Sequence, residues 1–253
     1  MLPLCTVAGD RGADGRFSRR GSSHFQLLQD VAIERYSGPK GSRQFEVDVL
    51  EILEGAYRQV GDALAIRPRT KMTVVVYDAA DFDQRFGGQF GFRAAGFYDG
   101  SMHLRSGTRL DPGLVGTLYH EYTHAALDYW SRGAFPAWLN EGLAEYMEAR
   151  AQGRRYLTPG QNYALVAAAS EGYWIPLRSL STPSFAHMGG SSAALAYVES
   201  YAIVEHLARQ HGKRSLRDLV DTLGKTRNVD RALKRVYDRS LEQIEADVLA
   251  ELR

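Results

Sequence analysis

Apolar residues recur at helical spacing between Arg43 and Leu64: Phe45, Val49, Leu50, Ile52, Leu53, Ala56, Val60 and Leu64. This periodicity predicts an amphipathic helix buried along one stripe. The pattern changes from Lys71 to Tyr77. Met72-Thr73-Val74-Val75-Val76 is a continuous, β-branched run, which predicts a buried strand. Ser23 to Glu34 starts as a strand, with Phe25, Leu27 and Leu28, and then turns polar. Asp81 to Phe86 reads as a short helix, Phe86 to Phe92 as a glycine-rich loop, and Gly96 to Arg105 as a strand or hairpin.

Beyond Asp111 the pattern is helical. Asp111 is a good N-cap, Pro112 fits the first helical position, and Leu114, Val115, Leu118, Ala125, Ala126 and Leu127 recur on a buried face until Arg132-Gly133. A second helix begins near Pro136 and carries Glu141, Glu145 and Glu148. Thr158-Pro159 opens a helix running through Ala169. Further helices follow over Ser192 to His211, Ser215 to Leu223, Val229 to Tyr237 and Ser240 to Leu252, the last with a Ser240/Gln243 capping box. Strands first and helices after predict an α+β fold, with a small mixed sheet over a central helix and a mostly helical lobe below. Residues 1–22, rich in Gly, Arg, Ser and Asp, are expected to be a disordered tail. Residues 23–253 are expected to form one domain, with an α+β part over 23–131 and a helical part over 132–253.

The central helix contains His120-Glu121-Tyr122-Thr123-His124. Residues four apart share a helical face, so His120 and His124 can aim two imidazole nitrogens at one point. A zinc ion there needs a third protein ligand and a position left for water, and Glu141 on the next helix is the candidate ligand. Glu121 is placed to take the water's proton. Glu145, one turn after Glu141, is a candidate acceptor for a ligand histidine's second nitrogen. The bland alternative is a surface helix with two solvated histidines beside a solvated acidic stripe. It fits poorly, because buried histidines and carboxylates in a capped core helix are costly unless paired or metal-bound. Gly142, inside the second helix, marks a close approach, expected toward the histidine helix.

The pair H-E-Y-T-H and W-L-N-E-G-L-A-E-Y resembles the gluzincin metallopeptidases, which include the thermolysin-like and M1-type enzymes, and is most similar to the small peptidase MA-like proteins. The resemblance implies a zincin-like fold, one zinc held by His120, His124 and Glu141, Glu121 as general base, and Glu145 as the carboxylate behind a ligand histidine. The stretch from Tyr197 to Leu207 resembles the M1 segment whose tyrosine stabilises the oxyanion. This implies Tyr197 as a catalytic residue, with Tyr201 its competitor one turn later and a core aromatic role open to both. The spacing from His124 to Glu141 is slightly shorter than is usual in those enzymes, and no G-A-M-E-N-like segment is present. The resemblance therefore implies an endopeptidase acting on peptides or proteins. A metal-binding adaptor with little activity and a zinc hydrolase of non-peptide bonds remain alternatives.

Composition narrows the partners. Lys and Arg total 31 against 30 acidic residues, a net charge of +1, which gives no footprint for nucleic acid. No apolar run is long enough for a transmembrane helix. Cys5 is the only cysteine, which excludes an internal disulfide and a cysteine-based metal site. Leu2-Pro3-Leu4-Cys5 is a poor lipoprotein box, and no N-terminal signal is visible. An extracytoplasmic location is implied by the resemblance alone. The remaining histidines, His24, His103, His187, His206 and His211, lack partners at ligand spacing and take a bland reading, with His103 on the edge strand and His187 in the loop before Tyr197 as candidates to line the cleft.

Overall fold

The computed structural model describes residues 17–30, 41–90, 93–106 and 110–252. Among the described residues five strands, β1 (Phe17–Gly21), β2 (Phe25–Asp30), β3 (Met72–Asp78), β4 (Gly96–Tyr98) and β5 (Met102–Ser106), form one sheet in the order β1-β2-β3-β5-β4. The two inner pairings, β2 with β3 and β3 with β5, are parallel, and both outer pairings are antiparallel. β3 sits at the centre and is covered on both sides, as its apolar run requires. Val74 and Val76 enter the main core. Val75 and Tyr77 point the other way, into a smaller cluster with Leu28, Phe82 and Phe86. That second face is closed by α2 (Ala79–Phe86), capped at its start by Asp78.

The main face packs on α1 (Gly41–Leu64) and α3 (Pro112–Ser131). Below lie α4 (Ala137–Ala151), α5 (Pro159–Glu171), α6 (Gly190–His211), α7 (Lys213–Thr226), α8 (Val229–Tyr237) and α9 (Leu241–Glu251). One contiguous buried cluster joins Phe25 of β2 to Val248 of α9, so sheet and helical lobe share a core. Trp138, in the first turn of α4, is fully buried. Truncating such a side chain to alanine typically costs about 3–5 kcal/mol.

Two expectations change, and one open choice is settled. The tail is not unstructured through residue 22, because Phe17–Gly21 pair with β2 as an edge strand. Ser18 hydrogen-bonds Glu46 of α1, and Arg20 Nε lies 2.6 Å from the same carboxylate. A charged edge strand has the composition of a tail, and only its long-range partners reveal it. The rest of that tail, including Cys5, and the polar stretch after Asp30 lie outside the described residues. The stretch from Gly96 resolves into the β4–β5 hairpin, turning at Gly100 with φ 110°. Finally, the close approach at Gly142 is to α6 and not to α3. A Cβ there would lie 2.4 Å from the Ser200 carbonyl oxygen and 2.7 Å from Val204 Cγ2. Among the described residues, no helix is long and apolar enough to cross a membrane.

Candidate metal centre

α3 is fixed at both ends by its own sequence. The Asp111 side chain accepts from the Leu114 N–H at 2.8 Å, and Pro112 occupies the first turn. At the far end Arg132 turns left-handed with φ 49°, its N–H donating to the Asp128 carbonyl, and Gly133 follows at φ 80°. α4 has no side-chain cap. Its first amides are satisfied from elsewhere: Ala137 N–H donates to the Thr182 carbonyl at 2.7 Å and Trp138 N–H to that of Leu180 at 3.2 Å. The two helices therefore meet in a fixed register, with His120, Glu121 and His124 on one and Glu141 on the other.

His120 Nε2 and His124 Nε2 lie 3.5 and 3.2 Å from Glu141 Oε2. All three side chains are largely buried. Although the distances are those of close polar contacts, Glu141 Oε2 makes no hydrogen bond among the described residues. The three atoms thus lie close together without a hydrogen bond closing the group at Glu141 Oε2. Two imidazole nitrogens and a carboxylate oxygen, all within 4.8 Å, form a donor set suited to zinc. The residues present thus fit a metal. Burial opposes the Glu141 charge, yet the His124 and His120 imidazoles outweigh it and hold the carboxyl down at about 2. Burial likewise pushes both histidines down, and Glu141 more than reverses this, aided at His120 by Glu148.

Glu121 is buried, and its Oε2 has no hydrogen-bond partner among the described residues. Burial raises its carboxyl pKa; the charges of Glu141 and Glu148 add to the rise, while the two histidines oppose it. The carboxyl faces a cavity. The cavity has a volume of about 480 Å³. One wall is the hairpin from Gly96 to Gly100; the others include Phe135, Asn140 and Tyr197.

Tyr197 lies on α6 with its ring edge-on to Phe185 at 5.7 Å. Its hydroxyl pKa is raised first by burial and then by the charges of Glu141, Glu121 and Glu145, which marks its proximity to the centre. Tyr201, also on α6, is fully buried near Tyr146 and Arg150 and does not line the cavity. His103 and His187 are not among the described lining residues either. His103 is held instead between Tyr77 and Asp99, at 2.9 and 3.1 Å. His187 is exposed.

Behind His120 stand two carboxylates. Glu148 Oε2 lies 3.2 Å from His120 Nδ1 and makes the hydrogen bond, while Glu145 Oε1 is 3.9 Å away. Burial pushes the Glu145 carboxyl up to about 7, with Glu148 and Glu141 adding to the rise. Glu148 is the residue that sequence reasoning passed over. The available signal was its position two turns after Glu141, on the same helical side.

The family model described as the Peptidase MA superfamily matches residues 76–252. The chain belongs to this family. The matched segment starts inside β3 and contains every residue of the centre, so the site of this Peptidase MA superfamily member lies wholly within its family domain. Membership gives the chain a peptidase-type domain. No curated protein matches the chain.

Proposed function

We propose that the chain is a zinc-dependent endopeptidase in which His120, His124 and Glu141 hold one zinc ion. The observation that carries this reading is the convergence of His120 Nε2, His124 Nε2 and Glu141 Oε2 without a hydrogen bond at the carboxylate oxygen. Zinc held there supplies the Lewis acidity that activates water and polarises a carbonyl. Glu121 takes a proton at its carboxylate from the attacking water and delivers it to the leaving amine. Tyr197 donates its hydroxyl proton in a hydrogen bond to the scissile carbonyl oxygen as charge develops. β4 is an edge strand along the cavity wall, so an extended peptide can pair with its backbone beside the centre, with no need of a free terminus. This favours cleavage within chains.

Elemental analysis combined with cleavage of a mixed peptide library tests the proposal. One zinc per chain is expected, with cleavage abolished by a chelator and restored by zinc. Retention of stoichiometric zinc by a His120→Ala, Glu141→Ala double variant would remove the ligand assignment. Zinc-loaded protein that cleaves no member of the library would favour a binding module over an enzyme.

A further inference from the structure

We infer that Glu148, braced by Gln152 in the space left open over Gly116, orients His120 and tunes how tightly the centre binds its metal. The inference rests on the metal reading above. A ligand imidazole uses one nitrogen for the metal, and its other N–H needs an acceptor that fixes tautomer and ring angle. With His120 Nε2 turned toward Glu141, the nitrogen left for this purpose is Nδ1. Of the two carboxylates near it, Glu148 is within hydrogen-bonding distance at 3.2 Å, and Glu145 at 3.9 Å is not.

Glu148 is itself held. Its Oε1 accepts from Gln152 Nε2 at 3.3 Å, and the same amide nitrogen donates to the Pro112 carbonyl at 3.2 Å. A continuous strut thus runs from the start of α3, through two side chains near the end of α4, back to His120 in the middle of α3. Gly116 makes the strut possible. It precedes His120 by one turn and lies on the same side of α3. A Cβ at position 116 would fall 2.3 Å from Gln152 Nε2 and 2.8 Å from Glu148 Oε1. A glycine in a helix interior costs about 1 kcal/mol relative to alanine, and the room given to Glu148 and Gln152 accounts for it here. Gly116, His120, Glu148 and Gln152 therefore form one positioning unit.

The competing view is that Glu148 and Gln152 merely seal the α3–α4 interface. Metal affinity separates the two. The metal-free protein and its variants are titrated with zinc against a chromophoric competitor, and thermal melts are recorded without metal. Glu148→Gln keeps size and shape, and is expected to weaken zinc binding by about 10- to 100-fold with little change in the metal-free melt. Glu145→Gln is expected to weaken it less. Gly116→Ala should weaken zinc comparably in the wild-type background and add little in a Glu148→Ala background, because the strut it disturbs is already gone. The cobalt-substituted form gives a second readout, with a shifted visible spectrum expected for Glu148→Gln. If Glu148→Gln binds zinc like wild type, or Glu145→Gln has the larger effect, the inference is overturned while the metal reading stands. If wild type itself binds no zinc, both fall together.

Discussion

Gly96 of the edge strand lies directly against Glu121 of α3. A Cβ at position 96 would sit 3.1 Å from Glu121 Cγ and 3.0 Å from Thr117 Cγ2. The strand that would carry substrate therefore touches the candidate base, and the absence of a side chain sets their spacing. Gly96→Ala should push Glu121 aside by a few tenths of an ångström and lower turnover by about tenfold or more, since small displacements in an active site are expensive. Zinc content should be unchanged. Wild-type turnover in this variant would show that the contact has no bearing on the base.

Glu121→Gln should separate binding from chemistry. The amide preserves shape but cannot take a proton, and loss of a general base typically costs about a hundred- to ten-thousand-fold in rate. Metal content should match wild type. Near-normal cleavage of the best library peptide by the purified variant would assign the base elsewhere.

Tyr197→Phe should lower kcat by about a hundredfold, with little effect on zinc content or Tm. Tyr201→Phe removes a buried hydroxyl that has no hydrogen-bond partner among the described residues, so it should leave turnover alone. The opposite ranking of these two variants in a kinetic assay would pass the role to Tyr201.

Glu199 gives a stability prediction independent of the metal. Its Oε1 accepts from the Ile175 N–H at 3.0 Å, and its Oε2 has no partner among the described residues. Burial pushes its carboxyl up to about 8, the Glu245 charge adds to this, and the Ile175 hydrogen bond opposes it. In the unfolded chain the group ionises near the ordinary value of about 4.3. Between those values the folded state binds a proton that the unfolded state does not, so stability falls as pH rises through the window. Glu199→Gln should flatten the decline and melt ~3 °C or more above wild type at pH 9. Parallel Tm profiles for the two proteins would refute this.

The sequence reveals the two halves of the centre unequally. His120, His124 and Glu121 are legible because they sit on one capped helix, where four-residue spacing alone sets their mutual geometry. Glu141 follows because it interrupts a second apolar stretch. The orientation of His120 does not follow, since Glu145 and Glu148 both lie on the Glu141 side of α4. Which of them reaches Nδ1 depends on how α3 and α4 cross, where Glu148 lies over Gly116. The family resemblance pointed to Glu145, and the hydrogen bond runs to Glu148. β3 was readable from its composition because it is covered on both faces. β1 was not, because its order comes from Glu46 and from pairing with β2.

The position of α4 depends on residues that follow it in the chain: the carbonyls of Leu180 and Thr182 receive its first amides, and Gly142 fits against Ser200. His120, His124 and Glu141 are thus synthesised before any of these anchors. A fragment ending at Ala151 should accordingly bind zinc more weakly than the full chain in the same competitor titration. During translation these three residues precede the frame that spaces them, and domains fold as units as they emerge. On the function proposed above, the candidate site would be complete only once α6 has been made, so an unfinished chain would hydrolyse neither itself nor its neighbours.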